Sequence, residues 1–311
     1  MFLYFYENLN SDHMRGVAFS PAHITGFFKA EFDQSARPET QGSLGAGFSI
    51  QEGVTTSVEV QDSEFSDYTI TVSGYQPDNT QVSEFVVSEF LKNIEGKYFL
   101  KIHHDIKVPV GYGLGCSAAV ALSLVFALNS AFKTNYTKEQ LGRMAHNAEV
   151  MCRTGLGDVL ASYYGGFEIR IKGGAPGIGQ IKKIPSYSYS AVMICFSPIS
   201  TKQFLKERLA SINGLGGKMV DGLVQTKDIE QFHDYSLEFA DYVNIVTPKM
   251  KSVIDELKLD GIKCGVALFG ETIFALVKPE MENRVISIFE KYPDGIVIKS
   301  KIDQIGARLL H

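Results

Sequence analysis

Apolar positions recur along this chain at two periods. Leu100, Ile102, Ile106 and Val108, with His104 in the same phase, alternate with Lys101, His103, Asp105 and Lys107. A period of two predicts a half-buried strand running into Pro109. Val54–Val60 and Tyr68–Val72, rich in β-branched and aromatic residues, predict two further strands. Between 83 and 94, Phe85, Val86, Phe90, Leu91 and Ile94 keep helical spacing, and Gly96 follows as a stop. The longest apolar run, Ala118–Leu128, is broken only by Ser123. It falls short of the roughly 20 residues a membrane span needs and predicts a buried helix. Thr137 and Gln140 form a capping box, after which Leu141, Met144, Ala145, Ala148 and Met151 predict a helix ending near Gly155.

A strand at Phe167–Ile171 is bracketed by the glycine patches 165–166 and 173–177, and the pattern changes beyond Gln180. A domain boundary near Pro185 is expected, giving domains 1–185 and 186–311. The second opens with a strand at Ala191–Phe196 and continues mainly as helix to about Leu259. It closes with a hairpin, 265–269 and 272–277, for which Gly270-Glu271 suits a type II′ turn. A helix after Pro279 and a last strand at Gly295–Ile298 complete it. Helices mixed with short paired strands make this an α+β layer, ferredoxin-like in the C-terminal domain.

Composition narrows the function classes. The chain has 311 residues, 30 basic against 35 acidic, a net charge of −5 and 29 glycines. Two domains suit that length, and the mild acidity argues against a broad grip on nucleic acid. Cys116, Cys152, Cys195 and Cys264 form no CxxC pair, so reduced thiols in a cytoplasmic protein are expected and a structural zinc site is not. The opening MFLYFYENLN has no basic region and no signal-peptide pattern, and no membrane segment is expected.

The segment PVGYGLGCSA at 109–118 carries the chemistry. Gly111, Gly113 and Gly115 stand between a predicted strand and an almost wholly apolar helix. Glycines let backbone come close to a ligand, and a helix N-terminus offers unpaired N–H groups, an arrangement suited to phosphate. No lysine follows for a Walker loop, and Cys116 stands where the dinucleotide fingerprint needs glycine. Phosphoryl transfer needs cations on the phosphates, oxygen ligands for Mg²⁺ and a group that orients the attacking hydroxyl. Ser117, Glu149 and Asp158 supply such a set if the fold brings them together. His103-His104-Asp105 is a poor metal site, because adjacent strand residues face opposite ways.

PVGYGLGCSAA at 109–119 closely resembles the second signature of the GHMP kinases, and SPAHITGFF at 20–28 resembles a shortened first signature. With GSLGAGFS at 42–49, RTGLGD at 153–158, GGFEIRIKGGAPG at 165–177 and SPIST at 197–201, the chain is similar to the members of that superfamily that act on pantoate. The resemblance implies a two-domain GHMP kinase fold with ATP and substrate in the cleft between the domains. It implies ATP phosphates wrapped by Gly111, Gly113, Leu114, Gly115, Cys116 and Ser117, and Mg²⁺ held by Ser117 and Glu149. Asp158 is the implied catalytic base or hydroxyl-orienting group. His23 stands where many members have lysine and is expected to donate to a phosphate or to the substrate. A cytoplasmic homodimer is implied as well.

A small hydroxy acid such as pantoate needs a fixed cation for its carboxylate, and Arg37 and Arg153 are the candidates, with Ser43 reaching in from the opposite wall. The third superfamily signature is reduced to the hairpin around Cys264 and Gly270, leaving the C-terminal domain's share in the site open. The residues also leave open another alcohol, such as mevalonate, homoserine or a sugar, and a non-catalytic ligand sensor of the same fold.

Overall fold

The computed structural model describes residues 14–33, 35–199 and 201–310. The opening stretch read for a signal peptide lies outside the described residues, as does Ser200 within the segment 197–201. The chain begins with two long antiparallel strands, β1 (Met14–Glu31) and β2 (Gly42–Asp62). The segments 20–28 and 42–49 are therefore cross-strand neighbours, with His23 opposite Ser49 and Thr25 opposite Gly47. The glycines of 42–47 serve close packing in a strand; a Cβ on Gly47 would lie 2.6 Å from His23 Nε2. The parallel pair β3 (Asp67–Ser73) and β4 (Tyr98–Ile106) is joined through helix α1 (Gln81–Leu91). The period of two is obeyed along β4: Leu100, Ile102, His104 and Ile106 are buried, whereas Lys101 and His103 are exposed.

Helix α2 (Cys116–Ala131) is buried along most of its surface, as its apolar composition requires. Helix α3 (Lys138–Cys152) starts at the capping box, with both Thr137–Gln140 bonds formed. It stops earlier than expected, because Arg153 takes a left-handed conformation (φ 58°) that ends the helical ladder. After helix α4 (Asp158–Tyr164) come strands β5 (Phe167–Lys172) and β6 (Gln180–Ile184).

The chain then enters a second sheet with β7 (Ser190–Pro198), helices α5 (Thr201–Thr226), α6 (Ile229–Tyr242) and α7 (Pro248–Leu259), and strands β8 (Gly265–Ala267) and β9 (Gly270–Val277). Helix α8 (Pro279–Phe289), β10 (Ile296–Lys301) and a short β11 (Arg308–Leu309) finish the chain. The second sheet runs β10-β7-β9-β8 and is antiparallel throughout, the ferredoxin-like order expected of the C-terminal part.

Two details correct the sequence reading. The hairpin turns at Leu268–Phe269, with Phe269 at φ 67°, while Gly270 opens β9. The expected final strand is followed by β11, which returns to the first sheet and pairs with β1. That seven-stranded sheet runs β11-β1-β2-β4-β3, with β5 attached to β2 and β6 to β5. One core extends across both sheets: Phe27, Phe48 and Phe167 from the first meet Phe232 of α6, which stacks on Phe274 of the second at 5.6 Å.

Candidate active site

A cavity of about 330 Å³ opens where the glycine loop, the α3–α4 turn, β1, β2, β5 and the 268–269 turn converge. Gly111, Gly113, Leu114, Gly115, Cys116 and Ser117 all line it. The three glycines take φ values of 89°, 79° and 59°, the last as the cap of α2, a backbone path that side chains with a Cβ resist. The loop is fixed from both sides. His23 N–H donates to the Leu114 carbonyl at 3.1 Å, and Ile199 N–H donates to that of Gly111 at 2.9 Å. The Thr272 hydroxyl donates to the Tyr112 carbonyl at 2.8 Å. A second cavity of about 170 Å³ adjoins the first and shares Gln81, Val110, Cys116, Ser117 and Thr154 with it.

Glu149 lies on the buried side of α3, one turn beyond Ala145. Ser117 donates to its Oε2 at 3.1 Å and Thr154 to its Oε1 at 2.6 Å. Burial pushes this carboxyl up to about 7 and the negative charge of Asp158 adds to the rise, against the pull of the two hydroxyl bonds. Among the described residues no group of three His, Cys, Asp or Glu forms a metal cluster. One carboxylate beside a serine hydroxyl, at the edge of a phosphate-type loop, is nevertheless a donor set that fits Mg²⁺, which takes most of its ligands from water and phosphate oxygens. A buried carboxylate that favours a proton is equally served by a cation. Burial and Glu149 raise the Cys116 thiol to about 12, so it faces the cavity as a neutral group.

Asp158 opens α4 and faces the cavity. Its Oδ1 accepts from His23 Nδ1 at 2.9 Å and from the Thr25 hydroxyl at 3.3 Å. Burial alone would raise its pKa, but the His23 hydrogen bond and charge, helped by Arg170 and Thr25, hold it below the usual value. The group is a carboxylate at neutral pH.

His23 is wholly buried and does not line the cavity. Its other nitrogen, Nε2, meets Glu168 Oε1 at 3.1 Å. Both nitrogens are occupied by carboxylates, so the expected donation from His23 to a phosphate or to the substrate does not occur in this arrangement. Ser43 and Arg153 do line the cavity, Ser43 buried in β2 and Arg153 exposed at the rim. Arg37 does not: its side chain is 78% exposed, with Nε 3.4 Å from Glu39 Oε1, because the 3₁₀ turn Pro38–Thr40 holds it outward.

The cation that sequence reasoning missed is Arg170. It lies in the segment 165–177, on the same face of β5 as Glu168, and reaches the cavity wall while only 1% exposed. Its Nη1 donates to Glu168 at 2.5 Å and its Nη2 to Thr25 at 3.3 Å, while Nε has no partner among the described residues. The alternation of Phe167, Glu168, Ile169, Arg170 and Ile171 was the available signal. Two charges in one phase of a strand bounded by glycine patches imply a paired, buried face.

Residues 82–166 match the family of GHMP kinase N-terminal domains. The pantoate kinase of Methanocaldococcus jannaschii is 31% identical over 88% of this chain and 96% of its own length. That of Thermococcus kodakarensis is 29% identical over 85% of this chain and 88% of its own. A solved structure described as a phosphotransferase related to the CoA biosynthesis pathway superposes with a TM-score of 0.85 at 25% identity, covering 95% of this chain and 98% of the other.

Proposed function

The chain belongs to the pantoate kinase branch of the GHMP kinases, and from that premise we propose that its cleft transfers the γ-phosphoryl group of ATP to the primary hydroxyl of pantoate. The products are 4-phosphopantoate and ADP, and the step feeds coenzyme A biosynthesis. The observation that carries this reading is a convergence. The loop Gly111–Ser117 and the ionised Asp158 face one cavity, and Glu149, buried just behind its wall, is bonded to Ser117 on the lining.

In this reading the loop N–H groups and the N-terminus of α2 hold the phosphates. The adjoining cavity, walled by Val72, Val82, Ile106 and Val120, takes the nucleoside. Ser117 and Glu149 would hold Mg²⁺, which when bound neutralises charge on the phosphate oxygens. Asp158 accepts the hydrogen bond of the attacking hydroxyl and receives its proton as the bond to phosphorus forms. The guanidinium of Arg170 in the cavity wall is suited to the substrate carboxylate, with Arg153 at the rim and Ser43 on the facing wall. His23 acts behind Asp158 rather than on the substrate.

The division into lobes 1–185 and 186–311 belongs to the same proposal, supported by the passage between sheets after Ile184 and tempered by the return of β11. Among the described residues no helix is long and apolar enough to cross a membrane. A cytoplasmic homodimer is the remaining part of the proposal, to be tested by sedimentation and fractionation.

The deciding experiment follows ADP release with pantoate, mevalonate and homoserine, with and without Mg²⁺. Release is expected with pantoate and Mg²⁺ only. Asp158→Asn keeps an acceptor for His23 and removes the base, so kcat is expected to fall at least about a hundredfold, within the contribution of a positioned proton acceptor. An Asp158→Asn enzyme with full kcat would remove Asp158 from the mechanism.

A further inference from the structure

Behind the cavity wall lies a carboxylate that the proposed transfer does not use. Glu168 is fully buried and does not line the cavity, yet it touches two groups on which the site depends. Its Oε1 is 3.1 Å from His23 Nε2 and accepts from Arg170 Nη1 at 2.5 Å, and its Oε2 is 3.3 Å from the same His23 nitrogen. We propose that Glu168 is the positioning residue of this site, one carboxylate that locks His23 as an imidazolium behind Asp158 and anchors the guanidinium of Arg170 beside it. The inference rests on the kinase reading for what Asp158 and Arg170 do, and on the packing alone for the charge state.

The argument begins with hydrogen-bond capacity. A neutral imidazole has one N–H and one acceptor lone pair, and an ionised carboxylate only accepts. His23 meets carboxylate oxygens at both nitrogens, at 2.9 Å to Asp158 and 3.1 Å to Glu168. Between two ionised carboxylates a neutral ring would direct a lone pair at an oxygen lone pair on one side, whereas the doubly protonated ring donates to both. Burial by itself would lower the His23 pKa, but the charge of Glu168 and the bonds to both carboxylates outweigh it, so the net shift is upward.

The groups facing the ring from the elements packed against it are Asp158 of α4 and Glu168 of β5, with Thr25 Oγ1 of its own strand at 3.4 Å from Nδ1. Arg170 completes a quartet of two carboxylates and two cations in alternating order, Asp158–His23–Glu168–Arg170, in which all but the cavity-facing Asp158 are buried. Neutralising Glu168 leaves two cations against one anion, and the ring is the member that can shed its charge. Asp158 then loses the cation that keeps it ionised, and Arg170 loses its anchor.

The test uses Glu168→Gln, which preserves shape and an acceptor oxygen while removing the charge. It is expected to lower kcat with pantoate and raise the KM for pantoate by about ten- to a hundredfold each, the range seen when a supporting group behind a ligand is lost. Binding of a fluorescent ATP analogue should stay within about twofold, and the alkaline limb of the kcat–pH profile should move to lower pH. Histidine ¹⁵N spectra of the wild type supply the readout that needs no substrate. At pH 7 the His23 resonance, identified by its absence from His23→Gln, is expected as imidazolium. His104, His146 and His233, each lowered to about 4 by burial, serve as neutral references.

A neutral His23 in the wild type overturns the proposal, as does an unchanged kcat–pH profile in Glu168→Gln. If the wild type does not phosphorylate pantoate, the kinase reading falls, and the spectra of wild type and Glu168→Gln still decide the charge-locking role. Glu168→Asp, one methylene shorter, should recover the imidazolium signal in part; no recovery beyond Glu168→Gln would overturn it too.

Discussion

Glycines 155 and 157 sit in the turn before Asp158 for reasons of space rather than backbone angle. Neither takes a positive φ. A Cβ on Gly155 would stand 2.4 Å from Glu149 Oε2, and one on Gly157 would stand 2.3 Å from Ser43 Oγ and 2.9 Å from Arg170 Nε. The turn thus passes between the proposed metal ligand and the substrate-side groups with no room to spare. Gly155→Ala is expected to displace the Glu149 carboxylate and raise the Mg²⁺ concentration for half-maximal rate by about tenfold or more, as for loss of a supporting contact at a metal ligand. Titrating Mg²⁺ at saturating ATP and pantoate measures this, and an unchanged requirement would separate Glu149 from the metal. Ser117, Glu149 and Asp158 could be singled out from the sequence as candidates because hydroxyl and carboxylate chemistry follows from a phosphate loop. The partners of His23 were not: Asp158 and Glu168 lie 135 and 145 residues away, and no local period encodes that proximity.

At the scale of elements, the glycine loop is held by the second sheet as well as the first. The 268–269 turn presses on it so closely that a Cβ on Gly113 would meet the Leu268 carbonyl at 2.3 Å, and one on Gly270 would meet Tyr112 backbone at 2.1 Å. Leu268 N–H also donates to the Thr25 carbonyl of β1 at 3.1 Å. This explains why the hairpin was legible and its turn was not. Alternation located two strands, and glycine-first pairs favour type II′ turns, so Gly270-Glu271 looked like the bend. The glycine is instead required by a contact with a segment about 160 residues earlier. Gly270→Ala is expected to push hairpin and loop apart, raising the KM for ATP several-fold while the KM for pantoate changes little. The opposite pattern in steady-state kinetics would show that the hairpin serves the substrate side.

Over the whole molecule, the cleft is only as rigid as the joint between its two sheets, and the joint is aromatic. Phe232 of α6 is fully buried, with its ring centre 5.9 Å from Phe27, 6.3 Å from Phe48, 4.7 Å from Phe167 and 5.6 Å from Phe274. The same core includes Ile24 and Ala46 beside Met193 and Phe289, and β11 returns from the far end of the chain to pair with β1. Two sheets that share one core should lose it together, whatever boundary the sequence suggests near Pro185. The net charge of −5 offers no general attraction for a nucleotide, so binding depends on how accurately this joint holds the loop, Asp158 and Arg170 around the cavity. Phe232→Ala removes a ring from the centre of that contact and is expected to cost about 3–5 kcal/mol, the range for a buried aromatic truncated to alanine. Calorimetry should show a single transition in the wild type and a single transition at lower temperature in the variant, with weaker ATP protection against melting. Two separate transitions, one unmoved by Phe232→Ala, would mean that the sheets fold independently and that the cleft is formed by docking rather than by a common core.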